Sequence, residues 1–286
     1  MMAKDTFLNR KVTLNSKGKL IDLSAPAVMA ILNITPDSFY GNSRISNIDE
    51  ALKTTEKFIN EGAKFIDIGA YSSRPGAADV SEDEELKRIT PIVEAIAKEF
   101  PETLISIDTF RAKVADESIT AGAHIINDIS AGNLDVVMFE TVAKLQVPYV
   151  MMHMRGTPQN MQENPMYDNV TLDVLNYFSE KISTLKKLGV KDIIIDPGFG
   201  FAKTITHNYQ VLKDLQSFSI FELPILVGFS RKSMITKVLN NKSADALNGT
   251  SILNTAALLK GTSILRVHDV KEAMECIKLI ERIKNP

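Results

Sequence analysis

Cysteine is almost absent from this chain. Cys276 is the only one in 286 residues, so no disulfide can close within it. Its place in an apolar-periodic stretch points to core packing. Excess charge is missing too: 33 Lys and Arg against 35 Asp and Glu leave a formal net charge of −2. No global field draws the chain to nucleic acid or to an anionic membrane, so any anion must be held by a local cluster. Long apolar runs are lacking. Ala25–Leu32 is the longest, far short of the roughly 20 residues that span a bilayer. Met1–Val12 carries Lys4, Asp5, Arg10 and Lys11 and has no apolar heart of a secretory leader. A soluble, cytoplasmic protein without nucleic-acid or membrane partners is expected. The four histidines, His124, His153, His207 and His268, show no metal-ligand spacing, and His124 and His207 read as structural. Nucleotide motifs also fail. Gly198-Phe199-Gly200 follows a strand, but Ala202-Lys203-Thr204 lacks the glycine that a P-loop needs before its lysine. No acidic residue ends the next strand, as a dinucleotide site requires.

What is present is a recurring unit. Ile193-Ile194-Ile195-Asp196-Pro197-Gly198-Phe199-Gly200-Phe201 reads as a strand buried on both faces, tipped by a carboxylate and broken by Pro and Gly. The same device repeats along the chain. Strands Val28–Leu32, Phe65–Ile68, Leu104–Ile107, His124–Ile126, Tyr149–Met152, Asp192–Ile195, Ile225–Val227 and Ser263–Leu265 alternate with helices over Ile48–Glu61, Glu82–Glu99, Arg111–Ala121, Leu134–Leu145, Leu172–Leu188, Asn208–Leu215, Met234–Leu239 with Ala244–Leu259, and Val270–Lys284. Ser81 with Glu84 predicts a capping box on the second helix. Residues 1–27 form a lead-in, with two apolar runs around Lys17-Gly18 suggesting a hairpin. Strict alternation implies parallel strands with right-handed crossovers. Eight such units without a linker predict a single α/β domain over 1–286, a (β/α)8 TIM barrel with a short N-terminal hairpin. A doubly wound open sheet is the alternative.

In a barrel the C-terminal strand ends converge on one face. Asn33, Asp108, Asn127, His153, Asp196, Lys232, Arg266 and His268 all fall at such ends, which predicts a polar pocket there. Asp108, Asn127 and Asp196 combine acceptors with one amide, a set suited to a flat heterocycle with an amino-amide edge. Lys232 is the nearest cation. Arg74, Arg266 and His268, with Ser73 and Asn33, form a local anion site, since Arg meets phosphate oxygens bidentately. Residues 266 and 268 share a strand face.

Seven stretches then resemble one family: Ile31–Phe39, Ser73-Arg74-Pro75-Gly76, Ser106–Thr109, Ile126-Asn127-Asp128, Asp196–Phe201, Ser230–Ser233 and Arg266–Asp269. In order, from Val28 to the C-terminus, they are similar to dihydropteroate synthase. The resemblance implies a transferase of folate biosynthesis and a sulfonamide target. Such an enzyme condenses 6-hydroxymethyl-7,8-dihydropterin diphosphate with 4-aminobenzoate to 7,8-dihydropteroate and diphosphate. It further implies that Asp108, Asn127, Asp196 and Lys232 hold the pterin, with Met152 and Phe201 beside it. Asn33 would ligate Mg²⁺, and Ser73, Arg74, Arg266 and His268 the diphosphate. Phe39, Pro75 and Ser233 would line the aminobenzoate site, and Asp37 and Arg74 would act in catalysis with Asp108, Asp196 and Lys232. A homodimer is implied as well. One departure is visible: Ala70-Tyr71-Ser72-Ser73 stands where the family often has Gly-Glu-Ser-Thr, so no catalytic role is assigned to position 71. Two alternatives remain at this point. One is a pterin-binding methyltransferase of the methyltetrahydrofolate:corrinoid type, which needs no diphosphate site. The other is a non-catalytic pterin-binding barrel.

Overall fold

The structure is a computed structural model that describes residues 12–34, 44–71, 80–161, 163 and 165–285. Eight parallel strands are hydrogen-bonded in the order β8-β7-β6-β5-β4-β3-β10-β9. They are β3 Ala27–Asn33, β4 Phe65–Gly69, β5 Leu104–Asp108, β6 Ile125–Asp128, β7 Tyr149–Met152, β8 Ile193–Asp196, β9 Leu226–Val227 and β10 Ile264–Val267. A parallel bridge between Ile195 and Ile225 joins the two ends of that order. The sheet therefore closes into the expected barrel, not an open doubly wound sheet. Helices α1 Arg44–Glu61, α2 Glu82–Glu99, α3 Ala112–Ala121, α4 Met138–Leu145, α5 Val170–Lys187, α6 Ile205–Lys213, α7 Ser233–Leu239, α8 Leu247–Leu259 and α9 Val270–Lys284 lie between or after the strands.

Alternation along each strand sorts its side chains into two layers. On β4, Ile66 and Ile68 join the shell packed under the helices. Phe65 instead joins an inner cluster with Met29, Leu104, Ile125, Val150, Ile194, Leu226 and Ile264, one side chain or more from every barrel strand. That cluster fills the N-terminal end of the barrel. By the same parity Asp67, Asp108, Asn127, Met152, Asp196 and Arg266 face the interior, and Asp128 faces out.

The hairpin completes the inner cluster. Strands β1 Thr13–Ser16 and β2 Lys19–Asp22 pair antiparallel around Lys17-Gly18, whose φ values of 52° and 83° suit a tight primed turn. Leu14, Ile21 and Leu23 are buried against the lower barrel residues, and Ser16 Oγ donates to His124 O at 2.7 Å. The lead-in is thus a stopper in the mouth opposite the strand tips.

Two local expectations need correction. Helix α4 starts at Met138 rather than Leu134, because the Asp128 carboxylate takes the amides of Ser130 and Gly132 and holds the intervening chain in a turn. The capping box at Ser81 is only half formed: Ser81 Oγ accepts from Glu84 N, but the Glu84 carboxylate turns to Arg88 at 2.9 Å. A full box occurs at Thr204 and His207 on α6, which gives His207 its structural role. Cys276 is buried, as expected.

Because Ile21 is buried in the stopper, Ile21→Ala should lower unfolding free energy by about 2–5 kcal/mol in urea denaturation. The pocket lies at the other end, so kcat/KM of the folded variant should hold. Unchanged stability would contradict the packing.

Candidate active site

The interior above the apolar layer is charged. Arg266 of β10 reaches across it. Its Nε donates to Asp67 Oδ2 at 2.6 Å and a terminal nitrogen donates to Asp108 Oδ2 at 2.5 Å. Asn127 Nδ2 donates to the same Asp67 oxygen at 3.0 Å. Strands β4, β5, β6 and β10 are thereby tied through one cluster. Burial alone would lower the Arg266 pKa, but the two carboxylates outweigh it and raise the value. Asp108 is pushed up to about 7, chiefly by burial and against the pull of Arg266, with Asp67 adding repulsion.

On the far side, Asp196 Oδ1 accepts from Gly198 N at 2.8 Å, a turn that Gly198 makes possible. Its φ is +74°, and a Cβ there would lie 2.1 Å from His153 O. Burial raises Asp196, while Lys232 opposes the rise. Lys232 Nζ donates to Phe199 O at 2.6 Å and lies 4.8 Å from the centre of the Phe201 ring. Burial lowers the Lys232 pKa to about 8, against the attraction of Asp196. Met152 is buried with Ile129, Met154, Met161 and Ala202, and Phe201 packs on this group. It forms an apolar shelf beside the acids.

Ser230 Oγ lies 2.9 Å from His268 Nδ1 and accepts from the His268 amide at 3.3 Å. The expected shared strand face of Arg266 and His268 is not formed, because β10 ends at Val267 and His268 lies past it, engaging Ser230 rather than the interior acids. Arg231 forms paired bonds to Asp269 at 2.8 and 3.0 Å and caps carbonyls of Ser243 and Ala244, so it latches the chain around α7 and α8. Ser233 is exposed at the first turn of α7. Asn33 ends β3 beside Gly69 of β4. Asp37, Phe39, Ser73, Arg74 and Pro75 lie outside the described residues.

Two buried groups escaped the sequence reading. Asp67 was hidden within Phe65-Ile66-Asp67-Ile68, not at a strand tip; a lone acid in an apolar strand was the available signal. Lys203 Nζ sits 2.9 Å from His153 Nδ1 and donates to the carbonyls of Gly198 and Phe201 at 3.1 and 3.2 Å. It pins the loop after β8 to the end of β7. Burial lowers Lys203 to about 7, and burial with the neighbouring Lys203 holds His153 well below its ordinary range. Tyr71 rests edge-on against Phe110, 5.1 Å between ring centres, and accepts from Gln159 Nε2 at 3.0 Å. Its ring is 5.5 Å from the Arg111 guanidinium, and it touches none of the interior acids.

Comparison with known proteins follows this geometry. Residues 29–268 match the family described as pterin binding enzyme. The chain is 45% identical over 268 residues to dihydropteroate synthase of Escherichia coli K12, covering 93% of this chain and 94% of the relative. It is 39% identical over 286 residues to dihydropteroate synthase of Bacillus subtilis, covering 99% and 98%. The Yersinia pestis dihydropteroate synthase structure solved with a sulfonamide drug complex superposes with a TM-score of 0.90 at 43% identity, over 96% of this chain and all of that one. The chain belongs to the pterin-binding enzymes and, at these identities over nearly its whole length, to the dihydropteroate synthase family. It is a transferase.

An ionised Asp108 and a charged Lys232 define a narrow working range. kcat/KM should be bell-shaped, falling below about pH 7 as Asp108 takes up a proton and above about pH 8 as Lys232 loses one. A flat profile from pH 5 to 9 would contradict the assignment.

Proposed function

We infer that this site joins 6-hydroxymethyl-7,8-dihydropterin diphosphate to 4-aminobenzoate, giving 7,8-dihydropteroate and diphosphate. The observation that carries it is the interior set Asp108, Asn127, Asp196 and Lys232, acceptors and one cation facing one pocket beside the apolar shelf of Met152 and Phe201. An amino-amide edge donates hydrogen bonds where these acids accept. The flat ring covers the shelf.

The chemistry needs charge stabilisation more than a nucleophile. The bond from the exocyclic methylene to the diphosphate oxygen breaks, leaving positive charge shared with the pterin ring. Asp108 and Asp196 lie where that charge is favoured. The aryl amine then forms the new C–N bond, and its proton departs with the diphosphate or to solvent. Arg74, His268 and Arg266, with Ser73, receive the leaving group. Arg266 is shared between Asp67 and Asp108, which fixes the guanidinium beside the acids that hold the pterin. In this reading Phe39, Pro75 and Ser233 would take the benzoate, and Asp37 and Arg74 would act in catalysis.

Asn33 would hold Mg²⁺ through its amide oxygen, a hard donor that suits the ion. Among the described residues, no group of three or more His, Cys, Asp or Glu could form a metal cage, which fits an ion carried largely by substrate oxygens. When bound there, Mg²⁺ would supply positive charge to the departing diphosphate. A corrinoid-type methyltransferase would use the same acids but has no need of the basic group at the end of β10. A silent binding barrel has no need of an anion site.

The chain acts as a homodimer in this reading. Ile252 and Leu259 on α8 and Leu279 and Ile283 on α9 are exposed, and these two helices pack side by side. Such neighbouring apolar side chains suit a partner. No described helix is long and apolar enough to cross a membrane, and the reading places the enzyme in the cytoplasm.

Turnover tests the function directly. With both substrates and Mg²⁺, diphosphate and dihydropteroate should appear in equal amounts. Asn33→Ala should require more Mg²⁺ for half-maximal rate. No diphosphate release, or full turnover in excess chelator, would count against it. Light scattering should give twice the chain mass of 31.6 kDa; a monomer at micromolar concentration would refute the dimer.

A further inference from the structure

Asp67 lies one layer below the strand tips, flanked in register by Ile31 and Ser106. It is fully buried. An aliphatic residue would fill that layer, and replacing buried ion pairs by apolar groups is often neutral or stabilising. The fold alone does not ask for a carboxylate here. What the carboxylate provides is direction. Oδ2 accepts both Arg266 Nε at 2.6 Å and Asn127 Nδ2 at 3.0 Å, while Oδ1 is buried with no hydrogen-bond partner among the described residues. The anchoring is concentrated on one oxygen and two donors from two different strands.

We propose that Asp67 is a positioning residue for the pterin: its Oδ2 orients the Asn127 amide and the Arg266 guanidinium so that the pocket meets the heterocycle with acceptors. The logic is that of the donor inventory. A carboxylate only accepts, so it selects the Asn127 rotamer that turns Nδ2 toward Asp67 and leaves Oδ1 as the atom for a ligand donor. A neutral residue at 67 would let the amide turn over and present a donor to the donor edge of the ring. The same carboxylate holds Arg266 by Nε, which directs the terminal nitrogens toward Asp108. The inference rests on the pterin-condensing function, and its test reads pterin binding separately from turnover.

The experiment is a double-mutant cycle read by calorimetry with a non-reactive pterin analogue on Asp67→Asn, Asn127→Ala and the double variant, each first shown to be folded by circular dichroism. Asp67→Asn should weaken analogue binding about tenfold or more, as losing a hydrogen bond to a charged group does. The double variant should lose clearly less than the two single losses multiplied, because part of the effect of Asp67 runs through Asn127. A second readout separates positioning from mere structure. Asp108 is faced by Arg266 of β10, Asp67 of β4, Glu85 of α2, Asp128 of β6 and Lys232 of the loop after β9. Removing the negative charge of Asp67 should move the acid limb of kcat/KM to lower pH. Should Asp67→Asn not fold, Asp67→Glu, which displaces the carboxylate by one methylene, enters the same cycle. Unchanged affinity, losses that multiply in the double variant, or an acid limb that stays in place would overturn the proposal. Failure of the wild type to bind the analogue would instead remove the function on which it rests.

Discussion

The bridge from Arg266 to Asp67 and Asp108 is the interaction on which the rest of the site depends. It puts a guanidinium and two carboxylates inside a barrel whose lower half is hydrocarbon. Isolated buried charges are costly, and several kcal/mol per ion is the usual scale. The cost is offset only because strands from β4, β5 and β10 bring the partners within hydrogen-bond reach. Asn127 then adds a neutral donor to the same cluster. The pairing of β10 with β3, and of β3 with β4 and β4 with β5, sets these strands side by side, and the curvature of the barrel lets Arg266 reach across the interior to Asp67 and Asp108.

The two halves of the pocket differ in how they are held. The Asp67–Asp108–Asn127–Arg266 side is built from strand residues and inherits the stiffness of the sheet. The Asp196–Lys232 side is built from the tip of β8 and the loops after β8 and β9, fixed by backbone contacts: Gly198 N to Asp196, Lys203 to two carbonyls, and Lys232 to Phe199 O. A dihydropteroate synthase has to grip a flat ring firmly and still let product leave. A rigid wall facing a loop wall meets both needs. Lys203 matters here because its three contacts keep the loop from swinging away from Asp196.

Much of this was legible in the sequence because barrels expose their chemistry at predictable places. Strand runs ending in Asp108, Asn127, Asp196 and Arg266 gave both the topology and the pocket, since the C-terminal ends must converge once eight parallel strands close. Asp67 was not legible by that rule. It stands mid-strand, and only the alternation of Phe65 and Ile66 between two cores reveals that it points inward. Lys203 was set aside with a failed nucleotide motif, and its burial depends on a loop path that local composition does not encode. The α4 start was missed for a related reason. Asp128 follows Asn127 at the end of β6, but parity turns it outward to Tyr149, whose hydroxyl donates to it at 2.7 Å, and to the turn that delays the helix.

The central claim is that the pterin is held by donating to ionised interior acids. Proton linkage tests it most directly. Asp108 stands at about 7 before ligand arrives, so near pH 7 it is roughly half protonated, and a donating ligand favours the ionised form. Titrating the protein with a non-reactive pterin analogue at pH 7, in buffers of different ionisation enthalpy, should show net proton release, falling as pH rises and turning to uptake above about pH 8, where Lys232 must gain a proton to bind. Proton uptake at pH 7, or heats independent of buffer there, would contradict the account.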